Sequence, residues 1–224
     1  FAVIPATLAV LILWFGVREP ARPADTPKAR LPLSRQEIGK LGSAYWNTVA
    51  VGAVLMLAGF SEAFLVLRAQ DLGLSLTLIP LVFIVMNVVY ALAAYPAGVC
   101  SDRWGRPGLI VAGFIVLIAA DLVLATADGL PAVMTGIVLW GLYMGLTQGV
   151  LTALIADTAP PELRGTAFGL FNLVSGLSLL MASALAGWLW DQYGAPAPFF
   201  ASAGIAAAAL AAWLLRVRRD GALH

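Results

Sequence analysis

The sequence predicts an all-α protein that crosses a membrane several times, and three observations support this prediction. Apolar residues make up 61% of the 224 residues and charged residues 11%, whereas soluble domains have roughly 45–50% and about 25%. The mean hydropathy is +0.92. The apolar residues also form continuous runs of about 20, the length at which an α-helix spans the hydrocarbon core. Strands of an outer-membrane barrel would instead alternate over about 10 residues.

Seven apolar runs each fit a membrane-spanning helix, and turn-forming Gly, Pro and Asp residues lie between most of them. The runs are 1–17, 44–67, 77–99, 108–127, 131–156, 166–190 and 196–215. Run 1–17 lacks the basic start and cleavage site of a signal peptide, so we interpret it as the end of a helix that begins upstream. The expected organisation is therefore a helix end (1–17), a linker (18–42), a six-helix unit (43–216) and a tail (217–224).

Composition excludes several functions. The net charge of +1 produces no field that would attract nucleic acid. Cys100 is the single cysteine and His224 the single histidine, so we expect no disulfide, no metal site and no histidine base. The sequence has no Walker loop, and Ala63 stands where a nucleophile elbow starting at Gly59 needs glycine. We therefore expect neither an enzyme nor a cofactor.

The basic residues predict the orientation of the helices. Twelve of the 13 Lys and Arg residues lie in segments 18–42, 100–107, 157–165 and 216–224, and only Arg68 lies on the other side. Basic residues mark cytoplasmic loops. The sequence thus predicts a multi-pass protein of the inner (cytoplasmic) membrane with a cytoplasmic C-terminus.

Two stretches share the pattern G-x-x-x-D-x-x-G, namely Gly98–Gly105 and Gly187–Gly194. Each closes the second helix of a triplet, 44–127 or 131–215, and the charge pattern places the two copies on opposite sides of the membrane. Two triplets of opposite orientation form an inverted repeat, an arrangement used by transporters.

The stretch Gly98–Arg106 also resembles the loop signature G-x-x-x-D-[RK]-x-G-[RK] of the major facilitator superfamily, although Pro107 stands where that family often has another basic residue. The stretch 157–167 is similar to the family's loop before helix 11, and 59–68 resembles its helix 7. The resemblance implies that 1–17 ends helix 6, that 18–42 is the central cytoplasmic linker, and that the remainder forms helices 7–12.

The resemblance further implies a cytoplasmic gate of charged and glycine residues. Its candidates are Gly98, Asp102, Arg103, Gly105, Arg106, Asp157, Glu162 and Arg164. We expect the two glycines to allow close approach and tight turning, the arginines of the motif to pair with Asp157 or Glu162, and Asp102 to dock near 165–166, within reach of Arg164. Alternatively these are solvated loop charges, whose pairs contribute about 0–1 kcal/mol each.

Two carboxylates, Glu62 and Asp121, fall inside apolar runs, where a charge costs about 2.5–3.5 kcal/mol at the bilayer centre. Both are candidates for proton coupling. Glu62 is the preferred one because the resemblance places it on a cavity-lining helix. For Asp121 we favour structural pairing or an interface reached by water. Arg68 and Asp71, at i,i+3 spacing, are expected to form a surface pair.

Further polar and aromatic residues are candidates for lining a solute cavity: Asn47, Asn87, Trp140, Tyr143, Thr147, Gln148 and Asn172. Asn47 lies about 60° round a helix from Glu62, so the two are expected to share a face. Alternatively, such groups bond between helices and hold the bundle together.

The function predicted from these features is secondary active transport of a small solute by alternating access, with proton coupling preferred. The expected partners are the lipid bilayer, the solute, the proton and an N-terminal transporter half that would form the other wall. The alternative is a non-transporting scaffold, assembly factor or subunit of a larger complex, which a stoichiometric partner without solute flux would favour.

Overall fold

A computed structural model describes residues 38–221 of the chain together with Thr7 and Leu11. The side chains of 102–104 and 216–221 are not part of that description. Two units divide the chain, 1–34 and 35–224. Most of the predicted span 1–17, linker residues 18–37 and tail residues 222–224 lie outside the described residues.

The described part of the second unit is helical. Its helices are α1 (Ser43–Ala58), α2 (Ala63–Asp71), α3 (Ile79–Trp104), α4 (Arg106–Thr126), α5 (Leu130–Thr158), α6 (Arg164–Tyr193) and α7 (Ala197–Gly221), with 3₁₀ turns at Leu76–Leu78 and Pro161–Leu163. Six of the described segments are long and apolar enough to cross a membrane, and α1 and α2 together form the first of them. The predicted fold, an all-α multi-pass membrane protein, is confirmed.

The first membrane segment is interrupted, and the prediction of one helix over 44–67 is wrong in this respect. Helix α1 ends at Ala58 and α2 begins at Ala63. Gly59 closes α1 by donating its N–H to the Leu55 carbonyl at 2.7 Å. We call residues 59–62 the helix break.

The helices pack in two corresponding sets. In one set α5 lies against α3 and α4, in the other α1 lies against α6 and α7, and α4 packs on α7 between the sets. Glycines allow α5 to approach α3 closely. A Cβ added at Gly141 would lie 2.5 Å from the Met86 carbonyl oxygen, and one at Gly145 would lie 2.6 Å from the Ala93 Cβ.

The two copies of the glycine–aspartate motif end in the same backbone geometry. Gly105 has φ +80° between α3 and α4, and Gly194 has φ +86° between α6 and α7. Glycine adopts this region without the penalty of a Cβ. A proline follows each glycine two residues later. The internal repeat in the sequence therefore corresponds to matching helix junctions.

Apolar side chains fill the centre of the bundle and also cover its outside. Tyr45, Leu55, Trp140 and Phe199 are among the largest buried side chains. By contrast α3 and α6 expose large apolar residues, such as Leu92 and Leu180. Exposed apolar faces of this extent suit a surface that contacts lipid or another protein segment.

Candidate functional site

The bundle end that carries residues 105–106 and 157–164, here called the basic end, contains an ion pair. The Arg106 guanidinium at the start of α4 contacts the Asp157 carboxylate in the last turn of α5. Their side chains are 27% and 57% exposed. The pairing of these two residues agrees with the sequence analysis, while a gating role stays a prediction.

Other candidates at the basic end are less engaged. Glu162 and Arg164 are exposed, and neither forms an ion pair with another described side chain. The side chains of Asp102 and Arg103 lie outside the described residues, so the expected docking of Asp102 stays a prediction.

The two glycines of the signature differ. Gly105 makes the positive-φ turn that its motif requires. The expectation of a close backbone approach at Gly98 is wrong within the described chain, because no heavy atom lies within 4 Å of a Cβ placed there. Instead Gly98 borders a cavity of about 280 Å³ between α3 and α5, which Arg106 and Gly149 also line.

Three hydroxyl groups hold the helix break, one from each helix of the second triplet. Tyr143 on α5 donates to the Leu55 carbonyl at 3.5 Å. The Ser61 N–H donates to Ser183 Oγ on α6 at 3.2 Å. Ser202 Oγ on α7 contacts the Ala58 carbonyl oxygen. The Ser61 N–H and the Ala58 carbonyl are therefore satisfied by distant helices, whereas the Leu55 carbonyl also accepts from Gly59.

Glu62 lies in the helix break, immediately before α2, and is partly exposed. The angular argument that gave Glu62 and Asn47 a common helix face fails, because it requires a continuous helix between them. The break instead places the carboxylate at an irregular segment of backbone within a membrane span.

Asp121 is fully buried on α4. Its Oδ2 contacts Ser202 Oγ, whereas its Oδ1 has no hydrogen-bond partner among the described residues. The sequence favoured either structural pairing or a position reached by water for Asp121. The structure shows pairing, with the Ser202 hydroxyl as the partner. Asp121 is not exposed to water in the described chain. The sequence analysis missed Ser202, whose only signal was a hydroxyl in an alanine-rich run.

Arg68 is also buried, which corrects the expected surface pair. Its Nη1 donates to Asp71 Oδ2 at 2.6 Å, so the pairing is present. Arg68 is only 5% exposed, and its guanidinium also donates to the carbonyls of Leu124 at 3.0 Å and Ala127 at 2.7 Å. Arg68 thus caps the C-terminal end of α4.

The cavity candidates fall into two groups. Four amide side chains are exposed on four different helices: Asn47, Asn87, Gln148 and Asn172. The other three, Trp140, Tyr143 and Thr147, are buried in the bundle. The expectation that these three line a cavity is wrong for the described chain, because their stripe faces the interior, where Trp140 packs on Phe60 and Tyr143.

The relatives of this chain include proteins named as transporters. MJ1317 of Methanocaldococcus jannaschii, an uncharacterized MFS-type transporter, is 32% identical over 148 residues, or 63% of this chain and 37% of the relative. The glucose transporter GlcP of Staphylococcus epidermidis is 26% identical over 160 residues, or 68% and 33%. Protein Rv2265 of Mycobacterium tuberculosis is 26% identical over 185 residues, or 81% and 44%. The chain spans less than half the length of each.

A family profile covers a larger part of the chain than the matches to MJ1317 and GlcP. The profile of the Major Facilitator Superfamily matches residues 49–223. This range runs from the second turn of α1 to beyond the end of α7 and includes the helix break and both glycine junctions. Because the match extends across every described membrane span, the chain belongs to the Major Facilitator Superfamily.

Proposed function

We propose that this chain forms one half of a secondary active transporter, which moves a small solute by alternating access and is driven by protons. The observation that carries the proposal is the helix break, which leaves irregular backbone and the Glu62 side chain inside a membrane span. Interrupted membrane helices form solute and ion sites in transporters with inverted repeats. The names of MJ1317 and GlcP support the same reading.

We assign the basic end to the cytoplasm because it carries Arg106 and Arg164. The arginines in 216–219 support the same assignment for the C-terminus. On this assignment the protein resides in the cytoplasmic membrane. The pair between Arg106 and Asp157 then closes the cytoplasmic end when the cavity opens outward. An N-terminal half supplies the other wall.

The exposed amides suggest the chemistry of the solute. Asn47, Asn87, Gln148 and Asn172 offer hydrogen-bond donors and acceptors on four helices. The burial of Trp140 and Tyr143 removes the aromatic wall that would favour a lipophilic solute. The proposed solute is therefore a small polar metabolite held by hydrogen bonds.

Proton-coupled flux in liposomes tests this function. The intact polypeptide is reconstituted with a pH-sensitive dye inside, and labelled glucose is the first probe, with tetraphenylphosphonium as a lipophilic contrast. We expect solute-dependent proton movement for the unmodified protein and its loss in Glu62→Gln. Asp71→Asn, which alters a carboxylate outside the helix break, is the matched control and is expected to retain flux.

Two outcomes contradict the proposal. Undiminished proton-coupled flux in Glu62→Gln would remove Glu62 from the coupling step. Absence of flux for a panel of polar metabolites, together with a partner chain that purifies in stoichiometric amounts, would replace transport with the scaffold function.

A further inference from the structure

Three groups form a row beside the helix break: the Asp121 carboxyl on α4, the Ser202 hydroxyl on α7 and the Ala58 carbonyl at the end of α1. Ser202 Oγ contacts both Asp121 Oδ2 and the Ala58 carbonyl oxygen. All three residues are at most 1% exposed. The row therefore connects a titratable group directly to the backbone of the break.

The number of hydroxyl protons available determines which form of Asp121 fits this row. A serine hydroxyl has one proton to donate, and a backbone carbonyl only accepts. Both contacts of Ser202 can be hydrogen bonds only if the Asp121 carboxyl is protonated. The carboxyl O–H then donates a hydrogen bond to Ser202 Oγ, and the Ser202 O–H donates one to the Ala58 carbonyl. With an ionised carboxylate, one of the two contacts would bring two acceptors together.

The surroundings of Asp121 also favour the neutral form. Its Oδ1 is buried and has no partner in the part of the chain that the structure describes, and an ion in that state would lack compensation for its lost hydration. The buried cation Arg68 is engaged with Asp71 and with the carbonyls at the end of α4. Neither described ion pair includes Asp121.

Other titratable groups on the neighbouring elements are few. Tyr143 on α5 directs its hydroxyl to the Leu55 carbonyl, and Glu62 lies in the break itself. Helix α7 has no titratable residue over 197–215. Tyr45 lies at the far end of α1, where it donates to the Ala167 carbonyl. The remaining groups are Asp157 in the last turn of α5, which pairs with Arg106 at the start of α4, and Tyr90, Tyr95 and Cys100 on the described part of α3.

We propose that Asp121 is a proton-binding site that controls the helix break through Ser202. With the proton bound, Asp121 donates to Ser202, and Ser202 donates to the Ala58 carbonyl. The proton leaves in a state of the bundle that admits water to Asp121. The carboxylate then accepts a hydrogen bond from the Ser202 hydroxyl, and the Ala58 carbonyl loses its donor. The link between α7 and the end of α1 is then released.

This inference rests on the proposed transporter function and adds a second proton site to it. Glu62 is partly exposed and lies in the break, whereas Asp121 is enclosed behind the break and acts on its backbone. Ser202 is the positioning residue that connects the carboxyl group to α1.

Hydrogen–deuterium exchange across residues 55–65 of the intact polypeptide in lipid nanodiscs tests the proposal. Asp121→Asn is neutral at every pH and has an amide N–H to donate to Ser202, so it mimics the protonated form. Comparing it with the unmodified protein at the same pH removes the intrinsic pH dependence of exchange. We expect equal rates at acid pH and about tenfold faster exchange in the unmodified protein at alkaline pH, the effect of losing roughly one hydrogen bond.

Two further variants keep the test decisive if Asp121→Asn folds poorly. In Ser202→Ala, residues 55–65 are expected to exchange rapidly at every pH. The control is Ser178→Ala, which removes a different buried serine, on α6, and is expected to behave as the unmodified protein. Infrared spectra supply a second measurement, since a protonated carboxyl stretch that vanishes in Asp121→Asn reports the site directly.

A rate ratio that does not change with pH would overturn the proposal, and so would the absence of an infrared difference between Asp121→Asn and the unmodified protein. Glu62→Gln separates this inference from the proposed function. If it abolishes proton flux while the pH-dependent exchange persists, both proposals stand. If the pH-dependent exchange persists but no solute drives proton flux, the Asp121 site stands and the transport proposal fails.

Discussion

Arg68 illustrates how one charge is accommodated inside an apolar bundle. The last carbonyl groups of a helix have no partner within it. The guanidinium donates to the carbonyls of Leu124 and Ala127 at the end of α4 and to the Asp71 carboxylate. Arginine suits this position because its five donors are held in a fixed planar group. One side chain thus satisfies the end of α4 and ties it to α2.

Replacing Arg68 with methionine keeps the volume and removes every donor. We expect Arg68→Met to lower the free energy of unfolding by about 3 kcal/mol, because buried carbonyls lose their partners. Chemical unfolding of the purified protein in detergent measures the change. Asp71→Asn is the control and is expected to cost less than about 1 kcal/mol, since this carboxylate is 43% exposed. Equal losses in both variants would show that the ion pair, and not the cap, stabilises this region.

At the scale of elements, glycines determine how closely α5 packs. Gly141, Gly145 and Gly149 follow one another every four residues on α5, yet only the first two approach α3. A Cβ at Gly149 would have no heavy atom within 4 Å. Gly141 and Gly149 therefore have different roles, although they lie on one face of the same helix.

This difference predicts opposite results for two identical substitutions. Gly141→Ala places a methyl group against the backbone of α3, and we expect a loss of about 1–3 kcal/mol in stability. Gly149→Ala meets open space within the chain and is expected to be neutral or slightly stabilising, since alanine has the higher helix propensity. Thermal unfolding in the same detergent compares them. An equally large loss in Gly149→Ala would contradict the packing argument.

At the scale of the whole molecule, two triplets repeat the same junction in opposite orientations. Gly105 and Gly194 have nearly equal φ values, but the surrounding charges differ. Only the first junction carries arginine, and its Arg106 pairs with Asp157 across α4 and α5. The repeat supplies the geometry, and the charges distinguish the two ends of the bundle.

If the Arg106–Asp157 pair closes the basic end, its attraction matters more than the identity of each residue. Arg106→Asp and Asp157→Arg alone place like charges together and are expected to reduce solute flux, whereas the double exchange is expected to restore most of it. Stability is expected to change by less than about 1 kcal/mol for a pair this exposed. Lys40→Ala, an exposed charge at the same end, is the control. Failure of the double exchange to restore flux would argue against a gate based on this pair.

The sequence alone determined the number and approximate ends of the described spans, because span length and turn residues are local properties. The resemblance of its loop motif implied that Arg106 would pair with Asp157 or Glu162, and the pair with Asp157 is present. The inverted repeat was visible as well, in eight-residue patterns that each require glycine at the junction.

The tertiary structure decided the helix break, the burial of Asp121 and the capping role of Arg68. The backbone at and beside the break contacts the hydroxyls of Tyr143, Ser183 and Ser202, which lie 88, 122 and 144 positions away from the groups they contact. The sequence likewise did not predict that Trp140 and Tyr143 point into the bundle. Lipid and protein core are both apolar, so the hydrophobic pattern of a membrane helix does not reveal which face packs inward.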